Sequence, residues 1–402
     1  MESESTVARQ PIFDGRLQVT AYELLYRSGD GGSATAEATP TVLLNLLTGW
    51  QLDTLVKGTR AFINVTRDLL FQIPKAGLEV VRMVLEVPGD TPVDDELLAV
   101  LDELRAKDFL LALDNFVYTE ERRPLLERAH YVKVDVRGRD DAELAAEVAR
   151  LRPFGVRLVA DKVETRDAFA ACRELGFEQF QGFFFARPKP VAEKWLAPGK
   201  LQVLQLLGKL SDPDVGYDEL AALVSGDAYL SYRMLRLINS PAAPTRVHVD
   251  SIERALVLLG VRELRVWATW LSLARTSDHP DELNRQLLVR ASFCQRLGDA
   301  RGEGRGDTLF FLGMLSGIDA VLGRPLDELV EKLPLSEELK AALLWRVGEL
   351  GNVLDAVLGY ESGDWARTEA LELPAETISQ AYLAAVERGD QVMHAALRQP
   401  ED

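Results

Sequence analysis

The first half of the chain alternates two kinds of hydrophobic period. Seven short apolar runs, rich in β-branched residues, predict strands: LQVTAYELLYR, AFINVT, VVRMVLEV, FLLALDN, HYVKVDV, GVRLVAD and FEQFQGFF. Longer stretches with helical spacing lie between them, such as PVDDELLAVLDELRAK and RDDAELAAEVARLRP. Strands that alternate with helices are typical of a mostly parallel sheet. The pattern therefore favours a compact (β/α)8-type barrel, and no G-x-G-x-x-G follows the first strand to indicate a dinucleotide-binding fold.

From about Gly199 onward the hydrophobic pattern is helical only. Two runs place apolar residues at i, i+3, i+4 and i+7: Val203, Leu206, Leu207 and Leu210, and then Ile252, Ala255, Leu256 and Leu259. Gly260 follows the second run, where a helix would end. The segment ARPKPVAEKWLAPGK holds three prolines and no strand pattern. We therefore predict an α/β barrel over residues 1–187, a linker over 188–200 and an all-α domain over 201–402.

Composition and charge narrow the class of function. The chain has 402 residues, with 46 Lys and Arg against 63 Asp and Glu, and its formal charge is −17. So acidic a protein is unsuited to a nucleic-acid groove or a polybasic membrane contact, and neither partner is expected. The first ten residues have no apolar core typical of a signal peptide. Cys172 and Cys294 are too few for a disulfide framework or a thiolate metal site, so we expect a reducing cytoplasm.

Polar residues recur late in the predicted strands of the first half. They are Glu23, Asn64, Glu86, Asp114, Lys133, Asp161 and Gln181. The carboxyl ends of parallel barrel strands meet at one face, so we expect these side chains to converge there. Carboxylate and amide oxygens without His or Cys favour Mg²⁺ or Mn²⁺ over Zn²⁺. A cation, together with Lys133 and Arg27, would let an acidic protein hold an anionic phosphodiester.

A structural interpretation competes with the functional one for each of these residues. A single acid at a strand end commonly caps a helix or forms a surface ion pair. Lys133 could pair with Asp135 in the same strand. Asn64 and Glu86 are harder to explain in this way, because Asn is uncommon in strands and a buried unpaired carboxylate is costly.

Five segments of the first half resemble a known family. ARQPIFD followed by YELLYR, and later YVKVDV, VADKVET and QGFFFARP, resemble the motifs of EAL domains, the cyclic di-GMP phosphodiesterase fold. In the second half, DAYLSYRMLRLINSPAA and SIERALVLLGVRELRVWA resemble the HDOD signature. That helical fold is akin to HD phosphohydrolases, but this chain has no adjacent His-Asp pair. The resemblance implies a bacterial signalling protein whose HDOD domain contacts a protein partner.

The resemblance also implies roles for individual residues. Glu23, Asn64, Glu86 and Asp114 fall on metal-ligand positions, and Arg27 and Gln181 on substrate-binding positions. Lys133 matches the lysine that helps to hold the attacking water. Asp161 stands at the position of the catalytic base, and Glu164 matches the second acid of the A-E-G-V-E-T motif.

Several positions depart from the family pattern. The active family has two adjacent aspartates followed by Phe-Gly, where this chain has Asp114, Asn115, Phe116 and Val117. YTEERR replaces the Gly-Thr-Gly loop that follows, which puts the family's usual homodimer in doubt. Asp161 replaces a Glu, Leu24 replaces the motif alanine, and Pro88 and Gly89 replace Thr-Glu. A carboxylate drawn back by one methylene, about 1.5 Å, can cost roughly a hundredfold in rate.

Three functions remain open from the sequence. The leading hypothesis is a degenerate EAL domain that binds or responds to cyclic di-GMP, with one well-formed Mg²⁺ or Mn²⁺ position at best. The second is a working metal-dependent cyclic di-GMP phosphodiesterase. The third is an interaction scaffold that has lost ligand binding in both halves.

Overall fold

The structure is a computed structural model that describes part of the chain. The described residues are 5–28, 51–75, 82–182, 198–210, 215–239, 249–274, 281–302 and 304–397. The chain divides into two compact units. The first is Met1–Phe185 with Gly359–Ala366 and Pro374–Ser379, and the second is Ala186–Leu358 with Arg367–Leu373 and Gln380–Asp402.

Eight strands close into a barrel in the first unit, each bonded to its neighbour in chain order. They are β1 (Ser5–Asp14), β2 (Val19–Ser28), β3 (Arg60–Asn64), β4 (Met83–Pro88), β5 (Leu110–Asp114), β6 (Tyr131–Asp135), β7 (Arg157–Asp161) and β8 (Gln179–Gln181). Strand β1 runs antiparallel to both β2 and β8. The strands from β2 to β8 are parallel to one another.

The predicted barrel is confirmed, with one difference at its start. The seven predicted runs correspond to β2 through β8, whereas β1 was not predicted as a strand. Strand β1 contains Pro11, which cannot donate to a strand ladder and weakens a strand pattern. The β1–β2 hairpin replaces the strand–helix–strand unit that a regular (β/α)8 barrel would have there.

Short helices surround the strands of the first unit. They are α1 (Gln51–Val56), α2 (Arg67–Leu70), α3 (Asp95–Ala106), α4 (Arg123–Leu126), α5 (Asp141–Leu151) and α6 (Arg166–Leu175), with 3-10 turns at Ile73–Lys75, Glu120–Arg122 and Arg152–Phe154. Their starts follow from local sequence. Asp94 caps α3 by accepting from the Leu97 N–H, and Asp140 forms a capping box with Glu143 at α5.

The later part of the chain is helical, as predicted. Its helices are α7 (Pro198–Leu210), α8 (Tyr217–Ser225), α9 (Ala228–Ile238), α10 (Ile252–Ala274), α11 (Asp281–Arg301), α12 (Gly306–Leu315), α13 (Ile318–Leu322), α14 (Leu326–Lys332), α15 (Glu337–Trp345), α16 (Gly348–Ser362) and α17 (Ala375–Leu397), with a 3-10 segment at Trp365–Leu371. Within α10, Gly260 adopts φ +80°, which interrupts the helix where its end was expected. Trp267 and Trp270 of α10 are buried among the core residues.

The predicted linker corresponds only in part to what the structure describes. Residues 188–197 lie outside the described residues. Residues 198–200 are helical and begin α7. No helix in the described part of the chain is long and apolar enough to cross a bilayer.

One layer of apolar side chains fills the barrel interior. It is the cluster of Ile12, Ala21, Phe62, Val84, Ala112, Tyr131 and Val159, each almost fully buried. Successive residues of a strand point to opposite faces, so the residue two positions further on returns to the interior. The next inward layer therefore contains the residues two places beyond each cluster member on the parallel strands, and two places before Ile12 on the antiparallel strand β1.

We predict that His130 makes the fold sensitive to mild acid. Its Nδ1 accepts a hydrogen bond from the Leu111 N–H at 3.1 Å, and burial with the charges of Arg105 and Arg157 lowers its pKa below 6.5. The unfolded chain then takes up a proton near pH 6.5 before the folded chain does, so stability is lost as pH falls below about 6.5. Urea unfolding at pH 7.5 and 5.5 should show a smaller loss in His130→Gln than in the wild type.

The matched control is His394→Gln, because His394 is exposed on α17. That variant should keep the wild-type loss of stability between the two pH values. An equal loss in His130→Gln and the wild type would contradict the assignment.

Candidate functional site

A polar layer lies directly above the apolar layer of the barrel. Its members each follow a residue of the apolar cluster by two positions: Glu23, Asn64, Glu86, Asp114, Lys133 and Asp161. Gln181 extends the layer from β8, and Gln10 extends it from the antiparallel strand β1, two positions before Ile12. The predicted convergence of strand-end residues therefore has a simple cause, which is the two-residue period of each strand.

Lys133 is the cation of this layer. Its Nζ lies 3.0 Å from Glu23 Oε2, 2.9 Å from Glu86 Oε1 and 3.7 Å from Asp114 Oδ1. Lys133, Glu23 and Glu86 are all buried, so these ion pairs form away from bulk water. Lys133 thus joins three different strands to β6. Asp135, the partner that the structural interpretation suggested for it, pairs with Arg137 and Lys162.

The pKa values of Glu23 and Glu86 shift in opposite directions, although burial favours the neutral form of both. In Glu23, burial is outweighed by the charge of Lys133 and by hydrogen bonds from Gln181 and Asn64, which lower the pKa to about 2. Burial and repulsion from Glu23 raise the pKa of Glu86 well above 4.5 despite Lys133. Burial also disfavours the charged form of Lys133, yet Glu23 and Glu86 raise its pKa well above 10.5. Glu86 is therefore the carboxylate of the layer whose negative charge is not balanced by the positive charge near it.

Two amides hold Glu23 in place. Asn64 Nδ2 donates to Glu23 Oε1 at 2.7 Å, and Gln181 Nε2 donates to Glu23 Oε2. Gln181 Nε2 also donates to Gln10 Oε1 at 2.9 Å. The predicted substrate-binding Gln181 is buried, and in this structure its amide orients a carboxylate of the layer.

The altered segment after β5 keeps Asp114 at the edge of the layer. Asn115 adopts φ +49°, which asparagine tolerates better than most residues, and its Nδ2 donates to Asp114 Oδ2 at 3.1 Å. Gly89 packs against this segment so closely that a Cβ would lie 2.6 Å from the Cα of Phe116. The glycine that departs from the family pattern is thus required by a close backbone approach.

Asp161 ends β7 beside Asp135, its register partner at the end of β6. Asp161 is buried, and burial raises its pKa above 3.8. Its Oδ1 accepts from the N–H of Lys162 at 2.8 Å. The Lys162 Nζ lies 3.9 Å from Asp161 Oδ2 and 2.9 Å from Asp135 Oδ2.

Two predicted site residues are not brought into the layer by the described contacts. Glu164 is exposed in the segment between β7 and α6. The backbone of Arg27 pairs with Thr6 in the β1–β2 ladder, but its side chain lies outside what the structure describes.

The donor set of the layer suits a hard divalent cation. Glu23, Glu86, Asp114 and Asn64 offer oxygen ligands, as Mg²⁺ and Mn²⁺ prefer. Both carboxylate oxygens of Glu86 are buried; Oε1 lies beside the Lys133 ammonium, and Oε2 has no hydrogen-bond donor in the described structure. Among the described residues no three His, Cys, Asp or Glu side chains are spaced as a ready-made metal site. The four expected ligands therefore lie in one polar layer around Lys133, and their role as metal ligands stays a prediction.

Sequence reasoning missed three residues of this region. Gln10 was missed because β1 was not recognised as a strand. Asp135 was considered only as a partner for Lys133, and Lys162 was not singled out. The two-residue period counted back from Ile12 would have found Gln10.

Comparisons with known proteins agree with the two-part organisation. The EAL domain pattern matches residues 59–188, and the HDOD domain pattern matches residues 199–333. "Cyclic di-GMP phosphodiesterase CdgJ" of Vibrio cholerae is 32% identical over 374 residues, which are 90% of this chain and 86% of the relative. "Uncharacterized protein YuxH" of Bacillus subtilis is 30% identical over 398 residues, which are 95% and 97% of the two chains.

Solved structures match somewhat less than half of this chain. The Klebsiella pneumoniae BlrP1 complex with calcium and cyclic di-GMP is 26% identical and covers 46% of this chain, with a TM-score of 0.38. This chain spans 56% of that protein. The PaMucR phosphodiesterase complex with cyclic di-GMP is 23% identical and covers 47% of this chain, with a TM-score of 0.35.

We predict that Glu86→Gln stabilises the metal-free protein and weakens Mn²⁺ binding. The exchange keeps the shape and removes a buried charge that repels Glu23 and Asp114. The midpoint of thermal unfolding should rise by roughly 2–4 °C, the shift that about 1 kcal/mol gives in a domain of this size. Scanning fluorimetry in chelator and calorimetric titration with MnCl₂ measure the two effects.

The matched control is Glu147→Gln, which changes another buried glutamate, on α5 and outside the polar layer. It should leave Mn²⁺ binding unchanged. A lower unfolding midpoint in Glu86→Gln together with wild-type Mn²⁺ affinity would contradict the prediction.

Proposed function

Because the chain belongs to the family of proteins that join an EAL domain to an HDOD domain, we propose that its barrel binds cyclic di-GMP together with one Mg²⁺ or Mn²⁺ ion. The observation that carries the proposal is the polar layer at the carboxyl ends of the barrel strands. Glu23, Glu86 and Lys133 meet there within 3.0 Å contacts, although they lie far apart in sequence. On this proposal the barrel holds the nucleotide and opens it slowly at most.

The charges of the layer support a cation-assisted site. An anionic phosphodiester would be repelled by Glu23, Glu86 and Asp114 unless positive charge stood between them. Lys133 supplies one such charge from within the chain. A divalent cation held by the same carboxylates and Asn64 would polarise the phosphodiester and favour ionisation of a bound water.

Two features of the layer support slow turnover. The Asp161 side chain is one methylene shorter than the family's glutamate, and its Oδ1 is already engaged by the Lys162 N–H. Asn115 places a neutral amide where the family pattern has a second aspartate, so that edge of the layer carries one negative charge fewer. A base held about 1 Å too far from its water can cost a hundredfold in rate.

A working phosphodiesterase is the second candidate, and one observation favours it. Burial raises the pKa of Asp161 above 3.8, toward the range in which a carboxylate accepts a proton efficiently. In this case Asp161 takes the proton of the attacking water, and Lys133 offsets the charge that develops beside it. The relative named as a cyclic di-GMP phosphodiesterase also supports this candidate.

We predict that the wild-type chain binds cyclic di-GMP in the presence of MnCl₂ with a Kd below about 100 μM, the range of a modest specific site. Glu23→Gln should weaken binding at least about tenfold, since it alters the carboxylate that Lys133, Asn64 and Gln181 hold. Isothermal titration calorimetry measures both affinities. Glu147→Gln serves as the control and should bind as the wild type does.

Product analysis in the same samples separates the candidate functions. Little linear dinucleotide from the wild type, and more from Asp161→Glu, would support binding with an impaired base. Fast turnover by the wild type that is lost in Asp161→Asn would favour the phosphodiesterase. If no nucleotide binds, the scaffold hypothesis replaces both.

We also propose that the helical domain carries the response to a protein partner. Tyr232 and Val257 are 58% and 74% exposed on the contacting helices α9 and α10. A contiguous exposed apolar patch marks a protein contact site, and the proposal assigns Tyr232 and Val257 to such a patch. Affinity purification with the full chain should recover a partner protein, and the double variant Tyr232→Ser, Val257→Ser should lose it. The control variant Trp345→Ser should keep the partner. Equal recovery by the double variant and the control would contradict the assignment.

A further inference from the structure

Lys162 occupies a backbone position that ordinarily suits glycine. Its φ is +58°, in the left-handed region that side chains with a Cβ adopt at a cost. The motif that VADKVET resembles has glycine at this position. A lysine that accepts backbone strain beside a cluster of acids calls for a compensating interaction in the folded protein.

The compensating interaction is a bridge between two strand ends. Lys162 Nζ lies 2.9 Å from Asp135 Oδ2 on β6 and 3.9 Å from Asp161 Oδ2 on β7. Asp135 and Asp161 are register partners, so without a cation their carboxylates would repel each other at close range. Arg137 also contacts Asp135, with Nη2 2.9 Å from Oδ2.

We propose that Lys162 is a built-in counter-ion that takes the place of a second divalent cation on the Asp161 side of the polar layer. Its ammonium, together with the Arg137 guanidinium, balances the charges of Asp135 and Asp161, so the layer accepts one Mg²⁺ or Mn²⁺ ion and excludes another. The inference deepens the proposed function and rests on it for the identity of the metal. Lys162 is a positioning residue, since it acts by fixing the carboxylate of Asp161.

The charges of the region are consistent with one divalent ion. Five carboxylates lie in or beside the layer, and three basic side chains contact them, namely Lys133, Lys162 and Arg137. This leaves two negative charges when every group is ionised, which one divalent cation balances. Loss of the Lys162 charge leaves three negative charges and opens the space between Asp135 and Asp161.

The test is calorimetric titration of the metal-free full chain with MnCl₂ alone. We expect about one Mn²⁺ ion per wild-type chain, and either a second ion or an association constant at least about tenfold higher in Lys162→Gln and Lys162→Gly. The glutamine variant removes only the charge, whereas the glycine variant also relieves the positive φ. Because glycine suits this backbone, the second variant should fold even if the first does not.

The matched control is Lys57→Gly. Lys57 is exposed, has φ +46° and precedes β3, so it lies at the opposite end of the barrel strands from the polar layer. This variant makes the same change of charge and backbone freedom and should bind Mn²⁺ as the wild type does.

The outcomes distinguish this inference from the proposed function. Wild-type Mn²⁺ stoichiometry and affinity in folded Lys162→Gly would overturn the inference, whether or not cyclic di-GMP binds. Extra Mn²⁺ binding in the Lys162 variants, together with no cyclic di-GMP binding by any chain, would uphold the counter-ion and overturn the proposed function.

Discussion

The buried ion cluster around Lys133 is the constraint on which the upper barrel depends. A lysine ammonium can remain charged away from water only if carboxylates surround it, and Glu23 and Glu86 do so from two other strands. The same contacts require Glu23, Glu86 and Lys133 to stand at one level of β2, β4 and β6. The fold and the candidate site therefore rest on one set of contacts. A substitution of Lys133 or of a glutamate that contacts it affects the stability of the barrel as well as the site.

The site could be predicted because strand periodicity is simple. Once Ala21, Phe62 and Val84 are assigned to the barrel interior, Glu23, Asn64 and Glu86 must face the same way two residues later. The sequence also showed that these polar residues stand in apolar runs, where a structural role alone explains them poorly. The barrel and its layer of acids followed from local pattern and parallel topology, without any knowledge of contacts.

The remainder depended on contacts that sequence pattern does not specify. Strand β1 was missed because Pro11 interrupts its pattern, and its place next to β8 depends on closure of the whole barrel. The pairing of Lys162 with Asp135 joins a loop to a neighbouring strand end, and the positive φ of Lys162 is visible only in the backbone. Which acid pairs with which base is decided by differences of a few ångström between side chains, and these distances exist only in the folded structure.

Holding a ligand and cutting it make different demands on the same layer. Holding the nucleotide requires that the charges of the layer balance. Lys133 and a divalent cation can provide this balance as long as the carboxylates lie within ion-pair distance of them. Cutting requires a base placed to within about 1 Å of the attacking water. The short Asp161, tied to the N–H and near the ammonium of Lys162, meets the first demand better than the second. The chain thus preserves the electrostatics of the layer while constraining the one group whose position matters most for hydrolysis.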